Sequence, residues 1–364
     1  MIRKITLAAS VALLAGCGGG DINIEPTNID NSVDNSVSQG GGANINCASY
    51  ADPDSGNEIR GQIDGNNCVY GSDFVGASNP LTVDLVIPRI SGVHIFEDSL
   101  FVGENVSSGP APAAGTGPTL TIRGGNTLAF LDSGDYMLVN RGSTLNVEGA
   151  VSAPVTLTAF IDAVAGTAGP EDVQLWGGVV INGNGITNNC TDAQRAADDC
   201  HVLSEGQPSN YGGSDNTESS GTIEYLVVKH TGFEVAPGDE LNGVSLNAIG
   251  SGTTINHAQV YSTFDDGYEF FGGAVQVDEF VALYARDDSI DFSDGWIGGM
   301  NRALVIHSLT DGNRCVEGDN IGEGRADGGE PLDFAPVTSP TLSNLTCVLS
   351  SNDDGTHGDS EGIT

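Results

Sequence analysis

The chain carries the block DDGYEFFGG at Asp265–Gly273 and a second block, DDSIDFSDG, at Asp287–Gly295. At an offset of 22 residues Asp265 aligns with Asp287, Asp266 with Asp288, Glu269 with Asp291, Phe270 with Phe292 and Gly273 with Gly295. The preceding segments, HAQVYSTF and FVALYARD, match in type as well. A unit this short cannot bury a core alone. It must stack on its neighbours, and its length is that of one turn of a solenoid. In a parallel β-helix successive rungs lie about 4.8 Å apart, so equivalent residues form columns along the axis. Phe270 over Phe292 is then expected to be an aromatic stack inside the core.

The rest of the chain fits that reading. From Leu81 onward, short β-rich runs alternate with Gly, Asn, Asp and Pro: LTVDLVIP, VHIFEDSLFVG, TLTIRGGNTLAF, YMLVN, STLNVEGA, PVTLTAF, LWGGVVING, TIEYLVVKHTG and TTINHAQVYST. Glycine supplies 52 of the 364 residues. One segment, Asp192–Asp199, reads as a short helix. Sandwich strands would alternate across tight hairpins, whereas INGNG follows a strand without leading into a partner. The expected fold is therefore all-β, a right-handed parallel β-helix of at most about twelve rungs, interrupted by insertions near 104–118, 188–220 and 232–242.

The ends and the charge set the surroundings. Arg3 and Lys4 precede the apolar run ITLAASVALLAG, which is too short to cross a bilayer, and Cys17 follows Leu14-Ala15-Gly16. Residues 1–16 read as a lipoprotein signal peptide and Cys17 as the lipidated residue. Residue 18 is Gly and not Asp, which favours the outer membrane. The stretch to residue 46 is rich in Gly, Asn, Asp and Ser, and reads as a flexible tether with a reach of about 30 Å. Residues 47–364 form the β-helix domain, with a capping region at 47–80. The sequence holds 12 Lys and Arg against 49 Asp and Glu, and two of the 12 fall in the leader. Nucleic acid is excluded as a partner, because phosphate recognition requires basic patches. Six cysteines remain besides Cys17, and an even number in an exported chain reads as disulfides. Local pairing gives Cys47–Cys68, Cys190–Cys200 and Cys315–Cys347, the second of which would staple the insertion TDAQRAADD.

The segments GVHIFEDSLFVGENV, RGSTLNVEGAVSAPVTLTAF, LWGGVVINGNGITNNC, LNGVSLNAIGSGTTINHAQVYSTFDDGYEFFGG and DDSIDFSDGW occur in this order. Together they resemble a family of bacterial outer-membrane lipoproteins with a pectin-lyase-like right-handed β-helix. LWGGVVING and DDGYEFFGG are its specific motifs. The resemblance implies a solenoid at the cell surface or in the periplasm, sometimes encoded beside TonB-dependent receptors, and implies no particular reaction. Relatives continue past a segment like DSEGIT into further rungs, so this chain is expected to be truncated at Thr364, where a strand begins.

The repeated acids are the candidate site. Carboxylates stacked about 5 Å apart repel by about 3 kcal/mol at an effective dielectric near 20. A bound cation, protonation or turn amides can relieve that. Asp265, Asp266, Glu269, Asp287, Asp288, Asp291 and Asp294, with Asp311 as an extension, supply the hard oxygen donors that Ca²⁺ takes. Of the carbohydrate-active enzymes, a glycoside hydrolase would use the same acids as a catalytic pair, though the His between glycines and the nearby basic residue of such enzymes do not occur here. A polysaccharide lyase would use an Arg or Lys base. His257, on the strand Thr254–Thr263, and Arg286, beside Asp287, are expected to be structural. A purely structural surface protein would use them as turn caps. The two tryptophans, Trp176 and Trp296, are candidate stacking platforms for a flat ligand or a neutral glycan, or else packing at rung corners. The expected partners are the membrane, through the lipid, and an outer-membrane receptor or a neutral glycan.

Overall fold

The computed structural model describes residues 45–206, 209–236, 239–309, 311–321, 334–350 and 360–364. The leader, Cys17 and the tether up to residue 44 lie outside the described residues. What is described is a parallel β-helix, in which each rung contributes to stacked parallel sheets.

One sheet has six parallel strands in the order Leu100–Val102, Met137–Val139, Val179–Asn182, Val244–Asn247, Tyr268–Phe271 and Ile290–Ser293. A larger sheet carries five long parallel strands, Gly221–Thr231, Thr254–Thr263, Gln276–Ala285, Gly299–Ile306 and Thr341–Val348. Each long strand serves two faces of the solenoid. Its first arm continues the stack Leu85–Ile87, Thr119–Arg123 and Thr144–Glu148, and its second continues His94–Phe96, Thr127–Phe130 and Val155–Ala159. All nine β-rich runs read from the sequence contain strands. The helix is Asp192–Ala196, capped by a reciprocal Thr191–Gln194 box. A second single-turn helix, Phe160–Ala163, gave no sequence signal because three of its four residues are apolar or aromatic.

The bend in each long strand is a column of left-handed residues: Tyr225, His257, Glu279, Arg302 and Asn344, with φ between 50° and 59°. None is glycine, so the conformation costs on the order of 1 kcal/mol per position and must be held by contacts. Tyr225 stacks on His257 with centroids 4.1 Å apart. His257 pairs with Glu279, and Arg302 pairs with Glu279 at 3.0 Å and Asp278 at 2.6 Å. Asn344 donates to Asn301 at 2.8 Å. His257 is thus a corner residue held by Tyr225 and Glu279.

Inside runs an aromatic column. Tyr70 stacks on Phe96, Phe96 on Phe130, and Phe130 on Trp176, whose ring is coplanar within 2° at 4.4 Å. Trp176 and Trp296 are both fully buried. Their indole N–H groups donate to the Lys229 carbonyl (2.6 Å) and the Val275 carbonyl (3.3 Å). Neither ring is available as a ligand platform, which corrects that expectation: glycine-flanked tryptophans here fill the rung interior. Phe270 and Phe292 are register partners as expected, but Phe292 is only partly buried, and the ring stacked on Phe270 is Trp296, at 4.2 Å.

The three disulfides are Cys47–Cys68, Cys190–Cys200 and Cys315–Cys347, as local pairing anticipates. The DSEGIT segment does form a strand, Glu361–Ile363, parallel to Arg314–Val316. The glycine shared by the two blocks has a backbone reason. Gly273 and Gly295 sit at φ 77° and 84°, and a Cβ would meet the Ile249 carbonyl at 2.4 Å or the Pro336 carbonyl at 2.6 Å.

Candidate functional site: an acidic groove on the six-stranded sheet

Alternation along a strand decides which acids face outward. Tyr268, Phe270 and Ile290 turn into the core, so Glu269, Phe271, Asp291 and Ser293 turn out onto the floor of a groove of about 830 Å³. The rung before carries the same register with neutral residues: Ser245 pairs with Glu269 and Leu246 with Phe270. LNGVSLN is therefore a third copy of the block, hidden from sequence comparison because its acids are absent and its step to the next rung is 24 residues instead of 22.

The leading Asp pairs form two further columns with different duties. The Asp266 N–H donates to Asn242 Oδ1 (3.1 Å), the Asp288 N–H to Asp266 Oδ1 (2.9 Å), and the Arg314 N–H to Asp288 Oδ1 (2.7 Å). This inner column staples each rung to the next through a side-chain oxygen that accepts a backbone N–H of the following rung. The outer column, Asp265 and Asp287, makes no such staple to a backbone N–H; Asp287 accepts from the Asn313 side chain at 2.8 Å.

Five of the seven predicted acids come together. Asp265, Asp266 and Asp287 each bring an oxygen within 4.8 Å of the others, and so do Asp266, Glu269 and Asp291, so that Asp266 belongs to both triads. Asp288 and Asp294 line the same groove but belong to neither triad. Asp288 is the rung staple and pairs with Arg314 at 3.7 Å. Asp294 accepts from the Tyr211 hydroxyl (2.9 Å) and from Asn189. Asp311 is not an extension of the cluster, because it pairs with Arg286 at 3.4 Å. That pair, and a bond to the Glu171 carbonyl, also occupies Arg286.

Sequence reasoning missed the walls. Glu205 and Tyr211 come from the 188–220 insertion, and Glu317 and Asp319 from the rung after the second block. The insertion is pinned in three ways. Cys190–Cys200 closes its base, Val202–Leu203 pairs antiparallel with Asn210–Tyr211, and buried Arg141 donates to the Cys200 and Gly212 carbonyls at 2.9 and 2.6 Å. The stapled cysteines were the one sequence signal that this loop is a built wall.

Burial controls the charge. Asp266 and Glu269 are 8% and 7% exposed, and burial, reinforced by the neighbouring acids, pushes both carboxyls well above the usual range. Burial, with Glu317 beside it, raises Asp288 to about 9. Burial and the charge of Glu317 raise Asp291 to about 7. Asn242 supports the arrangement, donating to Glu269 at 2.5 Å and to Glu205 at 3.1 Å. Burial thus favours the neutral form of these acids, and a bound cation would favour their carboxylates.

The sequence from residue 111 to 363 matches the pectate-lyase-like β-helix domain. The chain belongs to this family. The match takes in both acidic blocks and the insertion that walls the groove. No curated protein and no solved structure matches the chain.

Proposed function

We propose that this pectate-lyase-like β-helix protein is a binding module of the cell envelope, that its ligand site is the acidic groove, and that the groove's first ligand is Ca²⁺. The observation that carries the reading is the pair of carboxylate triads sharing Asp266. The donor set fits the ion: Ca²⁺ takes six to eight oxygens from flexible carboxylates, carbonyls and water, and two adjoining triads supply the carboxylate share. Bound there, the ion would supply the positive charge that the buried acids lack. Asp265, Asp266, Glu269, Asp287 and Asp291 would hold it, while Asn242 orients Glu269 and the Asp288 staple fixes the rung spacing.

The lipobox-like Leu14–Cys17 and the tether through residue 46 support anchoring to the outer membrane through a lipid on Cys17, with an outer-membrane receptor as the protein partner. Binding is favoured over carbohydrate chemistry by the placement of the two candidate bases: His257 is locked into the corner column and Arg286 is paired with Asp311. A purely structural use accounts for the stapling column but not for Asp265 and Asp291, which bind no backbone N–H of a following rung.

The test is the thermal unfolding midpoint of the chain in EDTA, millimolar Mg²⁺ and millimolar Ca²⁺. Ca²⁺ at a hundredfold its dissociation constant adds about 2.7 kcal/mol of stability. The expected result is a rise specific to Ca²⁺ that Asp265→Asn with Asp287→Asn greatly reduces. Equal small shifts in both ions would mean charge screening and would sink the proposal.

A further inference from the structure

The triads use only part of the groove, and the remainder has a different chemistry. Beyond Asp291 the floor continues to Ser293, which is 3% exposed, lines the groove, and has an Oγ without a hydrogen-bond partner. A buried hydroxyl left unpaired costs on the order of 1–3 kcal/mol, so a site that keeps one is built to meet a polar group. Beside it stands the half-buried Phe271 ring on the floor, backed by the buried Tyr211 of the wall with centroids 6.3 Å apart. Val202 and Leu203 add apolar surface to the wall, and Leu203 is 67% exposed. Asp319, whose N–H donates to the Phe292 carbonyl, sets a carboxylate on the following rung.

A hydrated metal ion has no use for rings or methyl groups. An alkylammonium uses each of these features: its charge lies over an aromatic face, its N–H groups meet the hydroxyl and the carboxylate, and its methylenes cover the apolar wall. Outward carboxylates on successive rungs, about 4.8 Å apart, offer further charged positions along the axis. We propose that the Ser293 end of the groove is a subsite for a primary alkylammonium group, and that the organic ligand of the groove is a linear polyamine extended along the rungs. This rests on the reading of the groove as a cation site.

The experiment is calorimetric titration of the chain with spermidine at physiological salt. Hexaamminecobalt(III) serves as a compact cation of equal charge without an alkyl chain, and Ca²⁺ is titrated in parallel. The expected result is saturable spermidine binding, at least about tenfold tighter than hexaamminecobalt(III). Phe271→Leu and Ser293→Ala should each weaken spermidine severalfold and leave the Ca²⁺ affinity unchanged, which also shows that the variants are folded. Equal affinity for the two trivalent cations, or spermidine binding indifferent to Phe271→Leu, would overturn the polyamine subsite while leaving Ca²⁺ binding at the triads intact. Absence of both spermidine and Ca²⁺ binding would overturn the subsite and the cation reading together.

Discussion

The strand corner and the acidic groove are both columns of ionisable residues stacked at rung spacing, yet they resolve their charge in opposite ways. Along the corner the acid stands between two basic side chains: His257 meets Glu279, and Glu279 meets Arg302. In the groove every step adds another acid, from Glu269 to Asp291 and from Asp265 to Asp287, with Arg314 reaching in at the far end to Asp288 and Glu317. A solenoid multiplies whatever residue type is chosen at one rung position. Alternation of acid and base makes such a column self-sufficient, whereas repetition of one sign makes it depend on protons or on a cation.

The largest effect that would separate the two columns is the pH dependence of stability. Asp266, Glu269, Asp288 (about 9) and Asp291 (about 7) have folded pKa values above the unfolded range near 4, so the native state binds more protons than the unfolded state. The contribution of these four acids is then greatest in acid and falls as pH rises from about 4 towards 9, by up to about 1.4 kcal/mol per pH unit for each acid that folding keeps protonated. Urea unfolding in EDTA across that range checks it, and saturating Ca²⁺ should flatten the decline. A flat profile in EDTA would put the groove in the same class as the corner.

Next in size is Asp266→Asn. The amide oxygen still accepts the Asp288 N–H, while the carboxyl common to both triads, which a bound cation would ionise, is lost. Stability in EDTA at pH 8 should hold or rise, and the Ca²⁺-dependent gain of about 2.7 kcal/mol should vanish. A loss of stability in EDTA with the gain intact would make Asp266 a staple alone. The smallest effect belongs to the corner. Glu279→Gln removes the partly exposed ion pair with Arg302 and alters the contact with His257, and should cost about 1 kcal/mol or less, equally with and without Ca²⁺. A Ca²⁺-dependent cost would show that the corner and the groove are coupled.

How much of this was legible in the sequence follows from rung length. Where successive rungs are the same length, as between Tyr268 and Ile290, the register can be read by eye, and the acids, the shared glycine and the inward phenylalanine align. Where the step changes, as between Ser245 and Glu269, the third copy of the block is lost. Glu205 and Tyr211 reach the groove from an insertion, so no periodicity could place them. The disulfides were readable because stapled rungs and loops keep their cysteines close in sequence. Burial of Trp176 and Trp296 was not, because a flanking glycine serves a turn that exposes a ring as well as one that buries it. The left-handed corner was invisible for a related reason. Tyr, His, Glu and Arg carry no signature of positive φ, and the stacked pairs that hold them there span separate rungs.

The most direct measurement of the central claim is a proton count. The chain, stripped of metal and held unbuffered at pH 7, is titrated with Ca²⁺ in a pH-stat. If the groove floor stores protons on buried carboxyls that the ion displaces, each Ca²⁺ bound releases protons, and Asp291→Asn reduces the number. Ca²⁺ binding without proton release, or no binding at all, would contradict the account.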